Sequence, residues 1–380
     1  MNKVPTPKPT GEYAVGTFTY TVYNDREETM YNALGTMRSI PVRVYYPTSK
    51  ESVEGLPKAR QLTKDMVQAL SKSFHVPLNF EKMEKEGENR SECYENAPFL
   101  EGKSFPLILF SCGYGSFREA NTYLLIELAS HGYVVASIAH PHEGILTESD
   151  DGTTIKIAKG ISSKIYSPII PSLIALKKLM KAKGTNEELW TKFDGIQRKY
   201  NRFLIERIPE WELDTHAALR YLRENHSSLI DFDMGIGVTG HSMGGITAFA
   251  LCEDEPETFT CGINIDGGLF GYHEGKSIDV PFAQINCVPN KTAVTIAFII
   301  NKAPAYHAVL KDMQHLGFTD LKHVIPLKSQ VGKLDPNVAH ENVCRIHLEF
   351  FDTYLKKNKE RPVFENNDAV TFTEYEPHLN

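Results

Sequence analysis

Met234–Ile246 reads M-G-I-G-V-T-G-H-S-M-G-G-I, and the reading of this stretch decides the fold. Ile236 to Thr239 is a short apolar run suited to a buried strand, and Ile246–Leu251 (ITAFAL) suits a packed helix. Between them Gly240-His241-Ser242-Met243-Gly244 fits G-x-S-x-G. Strand, tight turn and helix in that order make the pentapeptide a nucleophile elbow, with the serine on a strained backbone. Side chains close on either side of Ser242 would strike the neighbouring strand and helix. Glycine at 240, 244 and 245 removes those collisions.

The flanking segments predict the sheet that such a turn needs. Phe105–Phe110 (FPLILF) is a near-continuous apolar run, the pattern of a strand covered on both faces. Residues 117–130 have helical periodicity, Gly132 ends that helix, and Tyr133–Ile138 (YVVASI) is the next buried strand. This strand–helix–strand unit implies a parallel sheet with a right-handed crossover. Upstream, Thr17–Tyr23 and Ile40–Tyr46 alternate as strands and give the sheet an antiparallel start. Residues 1–12 read as a flexible tail, and 50–100 as peripheral with a helix near 63–71. Downstream, Cys261–Ile265 is a strand, and either Phe282–Asn286 or Val294–Asn301 supplies the next one in the central sheet. A helix is expected over 304–316, a strand over 323–327 and a closing helix over 341–356, with the last twenty residues peripheral.

The fold class is therefore α/β: a single domain over 1–380, its central sheet mostly parallel with helices on both faces. Residues 142–210 interrupt the alternation with two helical stretches, broken at Pro209, and read as a helical cap inserted over the active site. One of these stretches carries Ile169, Ile170, Leu173, Ile174, Leu176 and Met180 with Lys177, Lys178, Lys181 and Lys183 beside them. A cap packed on its own domain explains this pattern, and a peripheral contact with a membrane surface is the alternative.

Composition narrows the function classes. A chain of 380 residues with 41% hydrophobic and 23% charged residues is ordinary for a globular protein. The formal net charge of −7 gives no basic footprint for nucleic acid. No run of 18 apolar residues is present, so no transmembrane segment is expected. The start, MNKVPTPKPTGEY, lacks an apolar signal-peptide core, so a cytoplasmic location is expected, although a secreted mature form fits the same start. Six scattered cysteines show no C-x-x-C and no metal-ligand spacing, so free buried thiols are expected, with a Cys252–Cys261 bridge as the alternative.

A serine hydroxyl needs a base to take its proton, and the base needs a group that fixes its tautomer. In a doubly wound sheet these partners sit at the carboxyl ends of the strands, in the order Ser, Asp or Glu, His. Asp266 leaves the strand after the elbow helix and is the expected acid, with Asp279 and Asp335 in reserve. His340, just before the closing helix, is the expected base. His315, His323, His226 and His347 fall within elements or on the far side. The oxyanion needs two fixed backbone N–H groups. Met243 follows the serine and supplies one; Tyr114, in the glycine-rich loop after the 105–110 strand, supplies the other. Gly113, His140, His142 and His241 are the candidate pocket residues.

The segments FPLILFSCGYGSFREANTYLLIELASHGYVVASIAHP (105–141), ELDTHAALRYL (212–222), GVTGHSMGG (237–245), GINIDGG (262–268) and VAHENV (338–343) resemble the platelet-activating-factor acetylhydrolase family. The resemblance implies an α/β-hydrolase fold and a serine esterase acting on short or oxidised acyl esters of phospholipids, without metal or cofactor. It carries Ser242 as nucleophile, Asp266 as acid, His340 as base, and the Tyr114 and Met243 amides as oxyanion hole. Cys112 stands where family members usually have histidine, and the 142–210 and 270–300 regions are unlike the mammalian enzymes. The expected partner is a small-molecule or lipid ester. A general carboxylesterase, lipase or polyester hydrolase is the alternative, and a non-catalytic scaffold a more distant one.

Overall fold

The structure, a computed structural model, describes residues 6–30, 34–269, 277–287, 291–298, 301–324 and 328–377. Long β-rich runs open the chain: β1 (Ala14–Glu27) and β2 (Met37–Thr48) pair antiparallel, with Tyr20 opposite Val42. Next come β3 (Lys58–Arg60), α1 (Lys64–Phe74), α2 (Phe80–Lys85) and β4 (Arg90–Glu95), a peripheral group at one sheet edge. The expected β–α–β unit follows as β5 (Leu107–Ser111), α3 (Thr122–Ser130) and β6 (Val134–Ile138), its strands parallel. The segment after β6 holds a hairpin, β7 (Leu146–Glu148) and β8 (Thr154–Lys156). It continues with α4 (Ile161–Tyr166), α5 (Ile169–Leu179), α6 (Asn186–Tyr200) and the long α7 (Arg202–Asn225). The sheet then resumes with β9 (Ile236–His241), α8 (Met243–Asp254), β10 (Cys261–Ile265) and β11 (Phe282–Asn286). The chain closes through α9 (Lys291–Phe298), β12 (Ala305–Leu310), α10 (Lys328–Val331), α11 (Pro336–Tyr354) and β13 (Val370–Tyr375).

Among the described residues the main sheet runs β13-β12-β11-β10-β9-β5-β6-β2-β1-β4-β3. The six strands from β6 to β12 are mutually parallel, because each is reached by a crossover over a sheet face. Side chains alternate between two cores. Leu107, Leu109, Ile236 and Val238 pack with α7 and α8 on one face, while Ile108, Phe110 and Ile263 pack with α3 and α11 on the other. This explains why β5 reads as an unbroken apolar run.

Several expectations are overturned. Val294–Asn301 is not a strand: its first part is α9, and residues 299–300 lie outside the described set. Val294, Ala297 and Phe298 share one helical face and are all buried, and that packing overrides the β-preference of Val294-Thr295-Ile296. The helix expected over 304–316 is instead β12, a turn and a 3-10 helix at His315–Phe318. Tyr306, Ala308 and Leu310 all enter one core, a period of two that makes this segment a strand beside β11. Where a strand was expected over 323–327, Asp320–His323 is a 3-10 helix and 325–327 lie outside the described residues. The C-terminal residues are not peripheral, since β13 pairs antiparallel with β12. Pro209 does not break its helix. It removes one backbone bond within α7, and burial of Trp211, Asp214, Ala217 and Ala218 beyond it holds the helix together. All six cysteines are free.

Candidate active site

Ser242 is the N-cap of α8 with φ 56° and ψ −116°, a backbone conformation that L-residues adopt only under constraint. The constraint is visible. A Cβ on Gly244 would lie 2.0 Å from the Ser111 carbonyl oxygen, one on Gly240 2.4 Å from the Gly244 carbonyl carbon, and one on Gly245 2.1 Å from Asn264 Oδ1. The Ser242 N–H donates to the Ile265 carbonyl (2.8 Å), tying the elbow to the end of β10. The side chain is thereby held at the carboxyl end of the parallel strands, as the sequence suggested.

Asp266 is the residue immediately after β10, also at positive φ (54°). Its carboxylate collects donors. The Cys287 N–H donates to Oδ1 (2.9 Å), Asn286 Nδ2 to Oδ1 (3.3 Å) and the Cys287 thiol to Oδ2 (3.2 Å). Burial opposes charge on this group, but the His315 imidazole and the Cys287 donors outweigh it and hold the carboxyl below its usual range.

The imidazole beside Asp266 is that of His315, whose Nδ1 lies 2.7 Å from Oδ2. An ionised carboxylate can only accept, so Nδ1 carries the proton and Nε2 is left as the basic nitrogen. His315 follows β12 by five residues, and its side chain is 46% exposed. The expected base, His340, is elsewhere. It lies within α11, in the layer where α11 packs on α3, with its Nε2 3.5 Å from Cys344 Sγ and its ring 6.5 Å from that of Tyr123. Burial, and then the Lys322 charge, push His340 down to about 4. The error has a definite origin: reading 304–316 as a helix buried His315 inside an element and hid its strand-end position. The alternation of A-Y-H-A-V-L was the signal that could have found it.

The loop after β5 lies directly against the serine, since a Cβ on Gly113 would be 3.2 Å from Ser242 Cβ. Gly115, at φ 70°, donates its N–H to the Glu143 carbonyl (2.7 Å), and Ser116 donates to the Gly113 carbonyl (3.0 Å). Tyr114 sits between these fixed points, its ring stacked with that of Trp211 at 6.0 Å. Met243 is the first residue of α8, and its buried side chain shares a cluster with Trp211. Amides in a first helical turn lack intrahelical partners and face outward. Met243 follows Ser242 directly, and the loop that carries Tyr114 packs against the serine at Gly113.

The three candidate pocket histidines stand in different settings. His241 is buried, and its Nε2–H donates to the His315 carbonyl (3.1 Å), which positions the histidine-bearing loop instead of lining a pocket. Burial, and then His315, push His241 down to about 3, so it stays neutral. His140 is also buried, its Nδ1 2.7 Å from Asp214 and its ring stacked 3.6 Å from Trp211. His142, at φ 65°, stands 4.0 Å from Glu28 and is partly exposed.

Behind this loop is a buried ionic cluster that the sequence did not reveal. Arg38 donates to Glu28 (2.6 Å), Asp214 (2.6 Å) and Glu143 (3.1 Å), and Arg207 donates to Glu143 (2.9 Å). Because Glu143 also accepts from Gly115, the cluster fixes the Tyr114 loop from the rear.

A cavity of about 130 Å³ adjoins Gly267 and Asn286, lined also by Leu176, Phe193, Leu269 and Val294. Helices α5 and α6 form its outer wall. A larger cavity of about 590 Å³ lies between α1, α2 and residues 320–324; neither cavity is lined by Ser242, Asp266 or His315, but the smaller one reaches Gly267, next to Asp266. Among the described residues no group of three His, Cys, Asp or Glu side chains could hold a metal, and no helix is long and apolar enough to cross a membrane.

The model of the family described as platelet-activating factor acetylhydrolase, isoform II, matches residues 1–194. A platelet-activating factor acetylhydrolase of Cavia porcellus is 25% identical over 339 residues, covering 85% of this chain and 74% of that protein. That of Canis lupus familiaris is 29% identical over 288 residues, covering 70% of this chain and 60% of its own length. The chain thus matches between three-fifths and three-quarters of these relatives. A ferulic acid esterase from Streptomyces cinnamoneus superposes with a TM-score of 0.67 over 97% of this chain and 98% of that one. At 21% identity this likeness is one of fold, the α/β-hydrolase fold.

Proposed function

Because the chain belongs to the platelet-activating factor acetylhydrolase, isoform II, family of carboxylic ester hydrolases, we propose that it hydrolyses short-chain acyl esters of phospholipids through Ser242, His315 and Asp266. The observation that carries this reading is the 2.7 Å contact of His315 with Asp266 at the strand end where Ser242 is held on its elbow. His315 Nε2 takes the proton of Ser242 as Oγ attacks the ester carbonyl. The Tyr114 and Met243 amides hold the oxyanion, and the alcohol leaves with the proton from His315. Water, deprotonated in turn by His315, then cleaves the acyl-enzyme to release the acid and restore the serine. Asp266 fixes the His315 tautomer and stabilises the imidazolium.

The cavity beside Gly267 supports a short acyl group. A cavity of about 150 Å³ holds a benzene ring, so by volume one of about 130 Å³ admits roughly six heavy atoms or fewer, with Leu176, Phe193, Leu269 and Val294 as its apolar walls and Gln197, Asn201 and Gln284 as polar ones. A fluorophosphonate probe should label the wild type at Ser242 and leave Ser242→Ala unlabelled. A chain-length series of p-nitrophenyl esters should fall steeply beyond short chains, with a short-acyl phosphatidylcholine turned over. Labelling retained in Ser242→Ala would falsify the assignment, and indifference to chain length and headgroup would leave a general carboxylesterase.

A further inference from the structure

Helix α5 has two unlike faces. Ser172 and Leu179 face inward and are buried, and Ser172 and Leu176 line the cavity beside Gly267. The outer face carries Ile170, Leu173 and Ile174, which are 70%, 60% and 53% exposed. Their i, i+3, i+4 spacing aligns them in one stripe. At 100° per residue, Lys177 continues that stripe with Lys178 at its flank, Lys181 follows in the turn just past the helix end, and all three are exposed. The charge around the stripe is one-sided: residues 153–186 contain seven lysines and no Asp or Glu, in a chain whose formal net charge is −7.

An amphipathic surface helix normally turns its apolar stripe to the core, so an apolar stripe facing water marks a contact surface. We propose that the outer face of α5 docks the protein on an anionic phospholipid bilayer. Ile170, Leu173 and Ile174 enter the interface, and Lys177, Lys178 and Lys181 meet the headgroups. Charge selects this occupant. Lysines flanking an apolar stripe complement an anionic lipid surface, whereas a symmetric contact with a second copy would set lysine against lysine. The inference deepens the phospholipid-ester reading above and rests on it for its purpose. Since the inner face of α5 walls the cavity beside Gly267, docking brings that cavity to the surface in which such a substrate resides.

The test uses the full chain and vesicles of phosphatidylcholine, with and without phosphatidylserine, sedimented at low and high salt. The wild type should sediment with the anionic vesicles at low salt and be released at high salt. Each lysine near an anionic surface contributes roughly a factor of five in binding. Lys177→Glu with Lys181→Glu, or Leu173→Glu with Ile174→Glu, should therefore weaken binding by about tenfold or more. Turnover of soluble p-nitrophenyl acetate should stay within about twofold in both variants, because neither pair touches the cavity or the triad. Absence of wild-type binding to anionic vesicles at low salt, or equal binding by the variants, overturns the proposal. So does light scattering that shows a dimer which the glutamate variants dissociate. Failure of the esterase reading registers separately, as a wild type that does not turn over the soluble ester, since sedimentation needs no catalysis.

Discussion

Replacing His315 by alanine isolates the proton-transfer step from the rest of the molecule. The imidazole is 46% exposed, and Asp266 keeps the Cys287 N–H, the Cys287 thiol and Asn286 as donors when it is removed. The loss to folding is therefore about one charge-assisted hydrogen bond, on the order of 1–2 kcal/mol. The loss to catalysis is far larger. Without a base the serine stays protonated, and removal of the histidine in such a triad lowers kcat by about 10⁴- to 10⁶-fold. At 1.36 kcal/mol per decade this corresponds to about 5.5–8 kcal/mol of transition-state stabilisation. His340→Ala is the matched control. It empties a site between α11 and α3, with an expected stability loss of about 1–3 kcal/mol and kcat within about threefold of wild type. Steady-state hydrolysis of p-nitrophenyl acetate, read beside thermal unfolding of each variant, separates the two effects. A His340→Ala protein that melts normally but loses activity by orders of magnitude, with His315→Ala near wild type, would refute the reasoning.

Two further outcomes are expected. Gly244→Ala places a methyl group 2.0 Å from the Ser111 carbonyl oxygen, backbone against backbone, so it should lower the melting temperature and abolish hydrolysis together; a normal melt would contradict the elbow geometry. Removing the Arg38 charge as Arg38→Met leaves Glu28, Glu143 and Asp214 buried without their common partner, at about 3–5 kcal/mol in urea unfolding. The same cluster sets an acid limit. Burial alone would raise the Asp214 carboxyl, but Arg38 and His140 outweigh it and lower it far below its usual range. Its ionised form then stabilises the fold above its unfolded value of about 3.9, and that contribution is lost as pH falls further. Urea unfolding should show stability falling below about pH 4, less steeply in Asp214→Asn; equal slopes would remove Asp214 from the account.

The central sheet was legible because its strands carry their own evidence. The apolar run at 105–110 and the glycines around Ser242 each admit few alternatives. Asp266 was legible for the same reason, standing one residue beyond a short apolar strand. His315 was not. It is placed by β12, whose A-Y-H-A-V-L carries the alternation of a strand but over only six residues, and pairing with β11 and β13 on its two edges decides what so short a pattern leaves open. Likewise α9 is a helix made from strand-preferring residues, decided by what it packs on. In the Arg38 cluster the arginine bonds an aspartate 176 positions away, and no local pattern announces such a convergence.

The His241 side chain, occupying the variable second position of the pentapeptide, grips the main chain of the residue that presents the imidazole. Placement of the proposed base is therefore inherited from the elbow, and the segment between β12 and His315 needs only to deliver one carbonyl oxygen to a fixed anchor. Insertions or shortenings in that segment should be absorbed as long as this attachment survives, whereas a residue at 241 without a ring N–H would leave proton donor and acceptor free to drift apart in an otherwise intact molecule.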